Sequence, residues 1–428
     1  MTMKKKTRDL RWERLDNTAH LFPVIAGESM TNVYRISVTL TEEIQPDLLQ
    51  EALDMILPGF DGFNVRMKQG VFWYYLEENG RPAPGVCEEN TYPCRFFRQN
   101  KNNNYLFRVT YYKKRINLEV FHVLADGMGG INFLRELTYQ YLRLVHPELR
   151  EKLGDSYASD TSLNREDSFV KNYKRKAEKG YKSKKAFLIK GEKLEPGEFG
   201  VMHGYMNIPQ LKAVCKGYGA SINEYLVAAF VWSVYTECMH RMPSDKPIRV
   251  AVPVNLRSFF DSITTKNFFV MVSAEFVPVK DEYTFEEVLG IVCESLRSQI
   301  NKEHLERLFS YNVSNEKVWL NRATPLFLKN MVMKQIYTAS ALANTTTITN
   351  IGNVTVAADY EPYVEMFHAF LAMSKGQHLK GTICSYQDTL VFNFSFDLAD
   401  MSVQRGFFRK ISSDGIEVKI DSNGVNYE

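Results

Sequence analysis

The sequence lacks any pair of cysteines spaced as metal ligands. Its six, Cys87, Cys94, Cys215, Cys238, Cys293 and Cys384, are scattered over 428 residues without a Cys-x-x-Cys. No zinc or other metal site and no disulfide framework is indicated, and the thiols are expected to be reduced and mostly buried. A long apolar run is also missing: the longest charge-free apolar stretch, Tyr225 to Thr236, falls well short of the roughly 20 residues that span a bilayer. After Met1-Thr-Met-Lys-Lys-Lys the chain continues with Arg8, Asp9, Arg11, Glu13 and Arg14, not with the apolar core of a secretory signal. The expectation is a cytoplasmic protein without a membrane span, in which the sequon Asn312-Val313-Ser314 has no glycosylation role. An excess of one charge is absent as well, with 53 Lys+Arg against 50 Asp+Glu, which argues against a nucleic-acid partner.

What is present is an ordinary globular composition, 45% hydrophobic and 13% aromatic, long enough for two or three domains or one two-lobed unit. In the first half, Val33 to Leu40 has the character of a strand, and the segment after Pro46 places Leu48, Leu49, Ala52, Leu53, Ile56 and Leu57 at helical spacing. The runs 63–68 and 71–77 form a hairpin about Gln69-Gly70, and 105–112 pairs with 116–121 about Lys113 to Arg115. A helix is expected from about Asn132 to Leu144. In the second half, strands are expected at 201–208, 248–254, 268–277, 345–349, 381–386, 389–396 and 416–420. Helices are expected at 221–239, 285–308, 326–341 and 403–411, with a short one after the first strand.

Between Lys171 and Lys193 nine lysines and Arg175 face only Glu178 and Glu192, and the run leads to Glu195-Pro196-Gly197. It has the composition of a linker, either a solvated connector or a basic rim for the phosphates of a thioester carrier. The expected division is a lobe over 1–180, a linker over 181–200 and a second lobe over 201–428. Both halves mix strands and helices, so the class is α/β or α+β in two layers.

The segment that could carry chemistry joins the strand ending at Phe121 to the helix near Asn132: His122-Val-Leu-Ala-Asp126-Gly127-Met-Gly129-Gly130. A strand end delivers a side chain to an exposed rim, and the glycines permit a tight turn and close approach of backbone or ligand. From the residues alone His122 is either a functional imidazole or a strand-terminal histidine satisfied by its neighbours. Asp126 is either its orienting partner or the head of an Asx-type turn.

This segment resembles the His-x-x-x-Asp-Gly signature of the CoA-dependent acyltransferase superfamily. That superfamily includes chloramphenicol acetyltransferase, alcohol acetyltransferases, plant BAHD acyltransferases and the condensation domains of peptide synthetases. Gln45 to Asp54 is similar to its first helix, Val252-Pro-Val-Asn255-Leu-Arg257 to its Pro-x-Asn-x-Arg strand end, and Thr349-Asn350-Ile351-Gly352 to its Ser-Asn-x-Gly turn. The likeness runs from about Thr18 to Val418.

The resemblance implies two chloramphenicol acetyltransferase-like lobes, each a mixed sheet flanked by helices, with a tunnel between them. It also implies acyl-CoA as co-substrate with no permanently bound cofactor, and an alcohol or amine acceptor. His122 would be the general base, a role for which an imidazole titrating near 6.5 is suited. The Asp126 carboxylate would point away from it and pair with an arginine, here Arg257, to hold the loop that carries Gly127. Thr349 or Asn350, supported by Asn255, would face the oxyanion, although the threonine run is also ordinary strand sequence.

Two departures matter. Phe121 stands where condensation domains have a first histidine, and Asn393-Phe-Ser-Phe-Asp397 replaces the BAHD Asp-Phe-Gly-Trp-Gly. The likeness is therefore closest to the microbial alcohol acetyltransferase branch, which transfers an acetyl or other short acyl group to a hydroxyl. The rivals are amide- or ester-forming condensation on an acyl carrier protein and a catalytically silent scaffold. His203, His368 and His378 are channel liners or ordinary strand residues. Met331, Met333, Tyr225, Phe230 and Trp232 are read as packing residues in preference to a cofactor box, and Tyr360, Tyr363 and Phe367 form an aromatic patch that either walls an acceptor pocket or packs.

Overall fold

The β-branched and aromatic runs pair into two large sheets in the computed structural model, which describes residues 11–152, 165–174, 184–317 and 324–424. The first sheet has five strands in the order Val364–Leu371, Val33–Leu40, Arg115–Phe121, Phe107–Tyr112 and Cys87–Glu88. The second has seven: Phe269–Phe276, Ile248–Asn255, Thr346–Val354, Leu379–Tyr386, Thr389–Phe396, Gly200–Asn207 and Val418–Ser422. Thr346–Val354 is parallel to both its neighbours, while the other pairs of this sheet are antiparallel. A small sheet of Trp12–Arg14, Tyr74–Glu78 and Val65–Gln69 completes the set. Among the described residues no helix is long and apolar enough to cross a membrane.

Each large sheet has its own apolar core, so the architecture is two-lobed. Helices Pro46–Ile56 and Gly127–Val145 cover the first sheet with Leu49, Leu53, Phe133 and Leu137. Helices Ile222–Ser233, Phe285–Gln299 and Ser402–Ser413 cover the second. Ile222–Ser233 is buried almost all round rather than on one stripe, which keeps Tyr225 and Phe230 as packing residues. The lobes are laced together by Val364–Leu371, which lies in the second half of the chain but pairs with Val33–Leu40 of the first sheet. That strand was not anticipated, because its alternation is interrupted by a register shift between Val364 and Met366.

Where the lobes meet behind this strand the contact is polar. Tyr205 Oη lies 2.8 Å from His368 Nε2, and His203 Nδ1 is 2.6 Å from Asn393 Oδ1. His203 and His368 are thus held in a buried seam, and His378 pairs with Asp397 at 2.9 Å. Tyr360 is buried and tilted against Tyr139 at 4.2 Å, and Phe367 is buried in the first core, so of the two readings of the aromatic patch these residues take packing.

Several boundaries differ from expectation for local reasons. The helix expected from Asn132 starts at Gly127, because the Asp126 side chain accepts from Gly129 N–H and caps it. The single helix expected over 285–308 is two, Phe285–Gln299 and Lys302–Lys317, broken at Ile300-Asn301. Thr346–Val354 extends beyond the expected 345–349 through a bulge at Ile351, with Gly352 at φ +91°; the expected turn at 349–352 is this bulge. Met331 is exposed, not packed. Part of the basic run, residues 175–183, lies outside the described residues.

The glycines after Asp126 are therefore helical, and two are required by close approach. A Cβ on Gly129 would stand 2.6 Å from Thr265 O, and one on Gly130 would stand 2.7 Å from Tyr34 Oη, whereas Gly127 would meet only Ile351 at 3.6 Å. Gly129→Ala is expected to destabilise the protein by about 1–3 kcal/mol through overpacking, with Gly127→Ala near neutral. Chemical denaturation of the two variants checks this, and equal costs would contradict it.

Candidate functional site

His122 follows the last residue of Arg115–Phe121, and its N–H donates to Asn32 O at 3.0 Å. The ring is half-buried on the wall of a cavity of about 1210 Å³ lined from both lobes. Phe22 stacks on the imidazole at 4.6 Å, and Tyr34 meets it edge-on at 5.0 Å. Two aromatic neighbours leave the ring little rotational freedom.

The protonation pattern of this ring follows from one neighbour. Asn267 Nδ2 donates to Asp16 Oδ2 at 2.9 Å and to His122 O at 3.2 Å, so its Oδ1 is the atom 3.0 Å from His122 Nδ1. An amide oxygen can only accept, so Nδ1 carries the hydrogen and Nε2 keeps its lone pair. Burial pushes the His122 pKa below its ordinary value, against the opposing charge of Asp126. The resting state is thus a neutral imidazole with a basic Nε2. Behind it, Asp16 accepts from Ala19 N–H at 2.8 Å, and burial pushes its carboxyl up to about 6.

Asp126 does not hydrogen-bond to the imidazole. Arg257 grips its carboxylate with two bonds, Nη1 to Oδ2 at 2.7 Å and Nη2 to Oδ1 at 3.1 Å. Gly129 N–H and Phe268 N–H add two more, at 3.3 and 3.2 Å. Arg257 is satisfied in turn by Thr264 O and Lys266 O, both at 2.8 Å, and by Asn255 Oδ1 at 3.2 Å. Asp126 is therefore both partner of Arg257 and helix cap. The pair joins the first turn of Gly127–Val145 in one lobe to the end of Ile248–Asn255 in the other.

Thr349 and Asn350 line the same cavity, and their strand brings Ile351 against Gly127. Asn350 Oδ1 accepts from Gly352 N–H at 2.8 Å, which stabilises the bulge. His122, Asp126, Gly127, Asn255, Arg257, Thr349 and Asn350 all border one cavity. His203, His368, Tyr360 and Phe367 do not line it. The sequence reading missed Asn267 and Asp16: both lie outside any motif, separated from His122 by more than a hundred residues, and no spacing signal marks them.

No family model matches the chain, and no curated protein matches its sequence. Solved structures do match its fold. The trichothecene 15-O-acetyltransferase TRI3 from Fusarium sporotrichioides superposes with a TM-score of 0.60 at 11% identity over 96% of both chains. The starter condensation domain of rhizomide synthetase, solved with C8-CoA and Leu-SNAC, gives 0.59 at 11% identity over 94% of both. The epimerization domain from the third module of tyrocidine synthetase B gives 0.54 at 11% identity over 96% of this chain and 98% of its own. The two-lobed architecture expected from the resemblance is thus the observed one.

Two stability measurements test the site's construction. Asp126→Ala and Arg257→Met should each cost about 3–5 kcal/mol, because each leaves its buried partner unpaired, and the double variant should cost less than their sum. A cost below about 1 kcal/mol would reduce the pair to an exposed-type contact. For Asp16 the pKa is raised on folding, so its contribution to stability is full below about pH 4 and is lost as pH rises through about 6. Asp16→Asn should therefore gain on the parent by up to about 3 kcal/mol between pH 4 and 7.5. Unfolding curves at the two pH values read the difference, and parallel behaviour of the two proteins would refute it.

Proposed function

We propose that the protein is an acyltransferase that moves an acyl group from a CoA thioester to a hydroxyl, with His122 as general base. The observation that carries this reading is the tautomer: Asn267 fixes hydrogen on Nδ1, so an unprotonated Nε2 is available in a cavity lined by both lobes. A thioester is already activated, so no covalent enzyme intermediate is needed. What the reaction needs is a base for a weak nucleophile and room for two substrates at once.

In this mechanism the acceptor hydroxyl enters within hydrogen-bond reach of His122 Nε2. As its oxygen attacks the thioester carbonyl, the proton passes to Nε2 and the C–O bond forms. The resulting imidazolium is stabilised through Nδ1–H to Asn267 Oδ1, with the Asp16 carboxylate polarising that amide from behind. The Thr349 hydroxyl is the donor proposed for the oxyanion, since it lies on the opposite lobe of the same cavity. Collapse breaks the C–S bond, and the proton on Nε2 goes to the departing thiolate. Asp126 and Arg257 take no part in the proton transfer; they hold His122's loop and the Thr349 lobe in register. The acetyltransferase among the fold relatives and the acyl-CoA bound in the condensation domain support this reading.

Release of free thiol from a panel of acyl-CoAs and alcohols is the direct assay. His122→Ala should remain folded and lose about 10²- to 10⁴-fold in kcat/KM. No release with any donor, or equal turnover by the variant, would overturn the proposal; turnover confined to a carrier-protein thioester would turn it to condensation. Because burial lowers the His122 pKa, kcat/KM should rise with pH along a limb centred below the ordinary histidine value of about 6.5 and be flat through neutrality. A limb centred above about 7 would contradict a base in this environment.

A further inference from the structure

Two lysines among the described residues are buried, and they are treated differently by their surroundings. Lys266 pairs with Glu13 at 3.1 Å. Lys380, 6% exposed on the strand Leu379–Tyr386, lines the cavity, and its Nζ donates to the Ser374 hydroxyl. No Asp or Glu of the described residues pairs with it. Burial lowers its pKa to about 8, which still leaves an ammonium at neutral pH.

The rest of that end of the cavity offers no counter-charge. Gln377 Oε1 accepts from Thr347 Oγ1 at 2.9 Å, so both groups satisfy each other. Burial pushes the Tyr337 pKa above its ordinary value, so its hydroxyl stays neutral. The nearby Cys94 thiol is pushed well above its ordinary pKa by burial and stays neutral. An ammonium has three donors and Ser374 takes one. A buried cation without a partner is costly, and proteins keep one where a ligand supplies the anion.

Location narrows the ligand. His122 N–H donates to Asn32 O and Ala372 N–H to the next residue, Val33 O, both at 3.0 Å, and Ser374, which holds Lys380 Nζ, lies two residues beyond Ala372, so the ammonium sits on the same part of the cavity wall as the imidazole. The phosphates of CoA are separated from the thioester by the whole pantetheine arm, which makes them poor partners for a lysine this deep. We propose that the group delivered to this cavity carries a carboxylate, bound by Lys380 Nζ together with the Ser374 hydroxyl. This rests on the acyl-transfer reading and deepens it, since the carboxylate belongs either to a hydroxy-acid acceptor or to the free end of a dicarboxylic acyl thioester.

Matched pairs on the purified full chain test it. In the acceptor arm, hydroxyhexanoate is compared with hexanol, using acetyl-CoA as donor. In the donor arm, glutaryl-CoA is compared with valeryl-CoA, using hexanol as acceptor. Equilibrium binding by calorimetry and thiol release are both read, in the parent, in Lys380→Met and in Lys380→Arg. In one arm the parent should favour the carboxylate member by about 10- to 100-fold, the equivalent of a charge-assisted hydrogen bond. The ratio should fall to about one in Lys380→Met and be partly kept in Lys380→Arg. A parent without preference in either arm overturns the proposal whether or not the variants fold, and so does a preference unchanged in Lys380→Met. Thiol release without carboxylate preference sinks the carboxylate site and leaves acyl transfer standing. Lys380-dependent binding without thiol release from any pair does the reverse.

Discussion

Everything at the centre of this molecule depends on one ion pair. The Asp126 carboxylate receives two bonds from Arg257 and two from backbone N–H groups, which satisfies a charge that would otherwise be costly to bury. Because Arg257 opens the short helix Arg257–Phe260 after the strand Ile248–Asn255 and Asp126 caps the helix Gly127–Val145, the pair is also a weld between lobes. The geometry explains the small residues beside it. With Asp126 pulled onto the 257–268 loop, the helix's first turn lies against Thr265 O, and only hydrogen fits at position 129. His122, four residues upstream, lines the same cavity as Thr349.

The weld has a consequence for the imidazole. With Asp126 fully committed to Arg257, the task of orienting His122 passes to a neutral group, Asn267. A carboxylate in that position would raise the imidazole's pKa by direct charge; an amide fixes the tautomer with a much smaller electrostatic effect, so burial dominates and the imidazole's pKa is lowered. Asp16, one step further back, restores some charge stabilisation for the imidazolium without touching it. Its own raised pKa shows that this placement is obtained at a cost in stability. Lys380 pushes the imidazole's pKa in the same direction as burial.

What could be read in the sequence follows from how local the cause was. Strands such as Val33–Leu40 and Thr389–Phe396 were legible to the residue because pattern and pairing agree. The Asp126–Arg257 pair was legible through its motif, despite 131 residues of separation. The early start of helix Gly127–Val145 was not, since three glycines are poor helix formers and the cap and close packing override propensity. The strand Val364–Leu371 was lost because the register shift between Val364 and Met366 breaks its alternation, and its partner, in the other half of the chain, gives no local signal. Asn267 and Asp16 were invisible for the same reason: an asparagine that accepts from a histidine looks, in one dimension, like any polar residue in a loop.

Fold alone cannot choose the reaction. The same two-lobed architecture serves an acetyltransferase, a condensation domain and an epimerization domain among the structures this chain resembles. These chemistries ask different things of the cavity. Epimerization moves a proton at carbon and needs no second substrate, whereas acyl transfer needs a base for an incoming nucleophile and space for both donor and acceptor. An imidazole with hydrogen fixed on Nδ1 and a free Nε2 suits either. A cavity of about 1210 Å³ lined from both lobes has the room that the proposed two-substrate reaction requires. In this chain the lining also carries Lys380, a buried lysine that pairs with no Asp or Glu among the described residues.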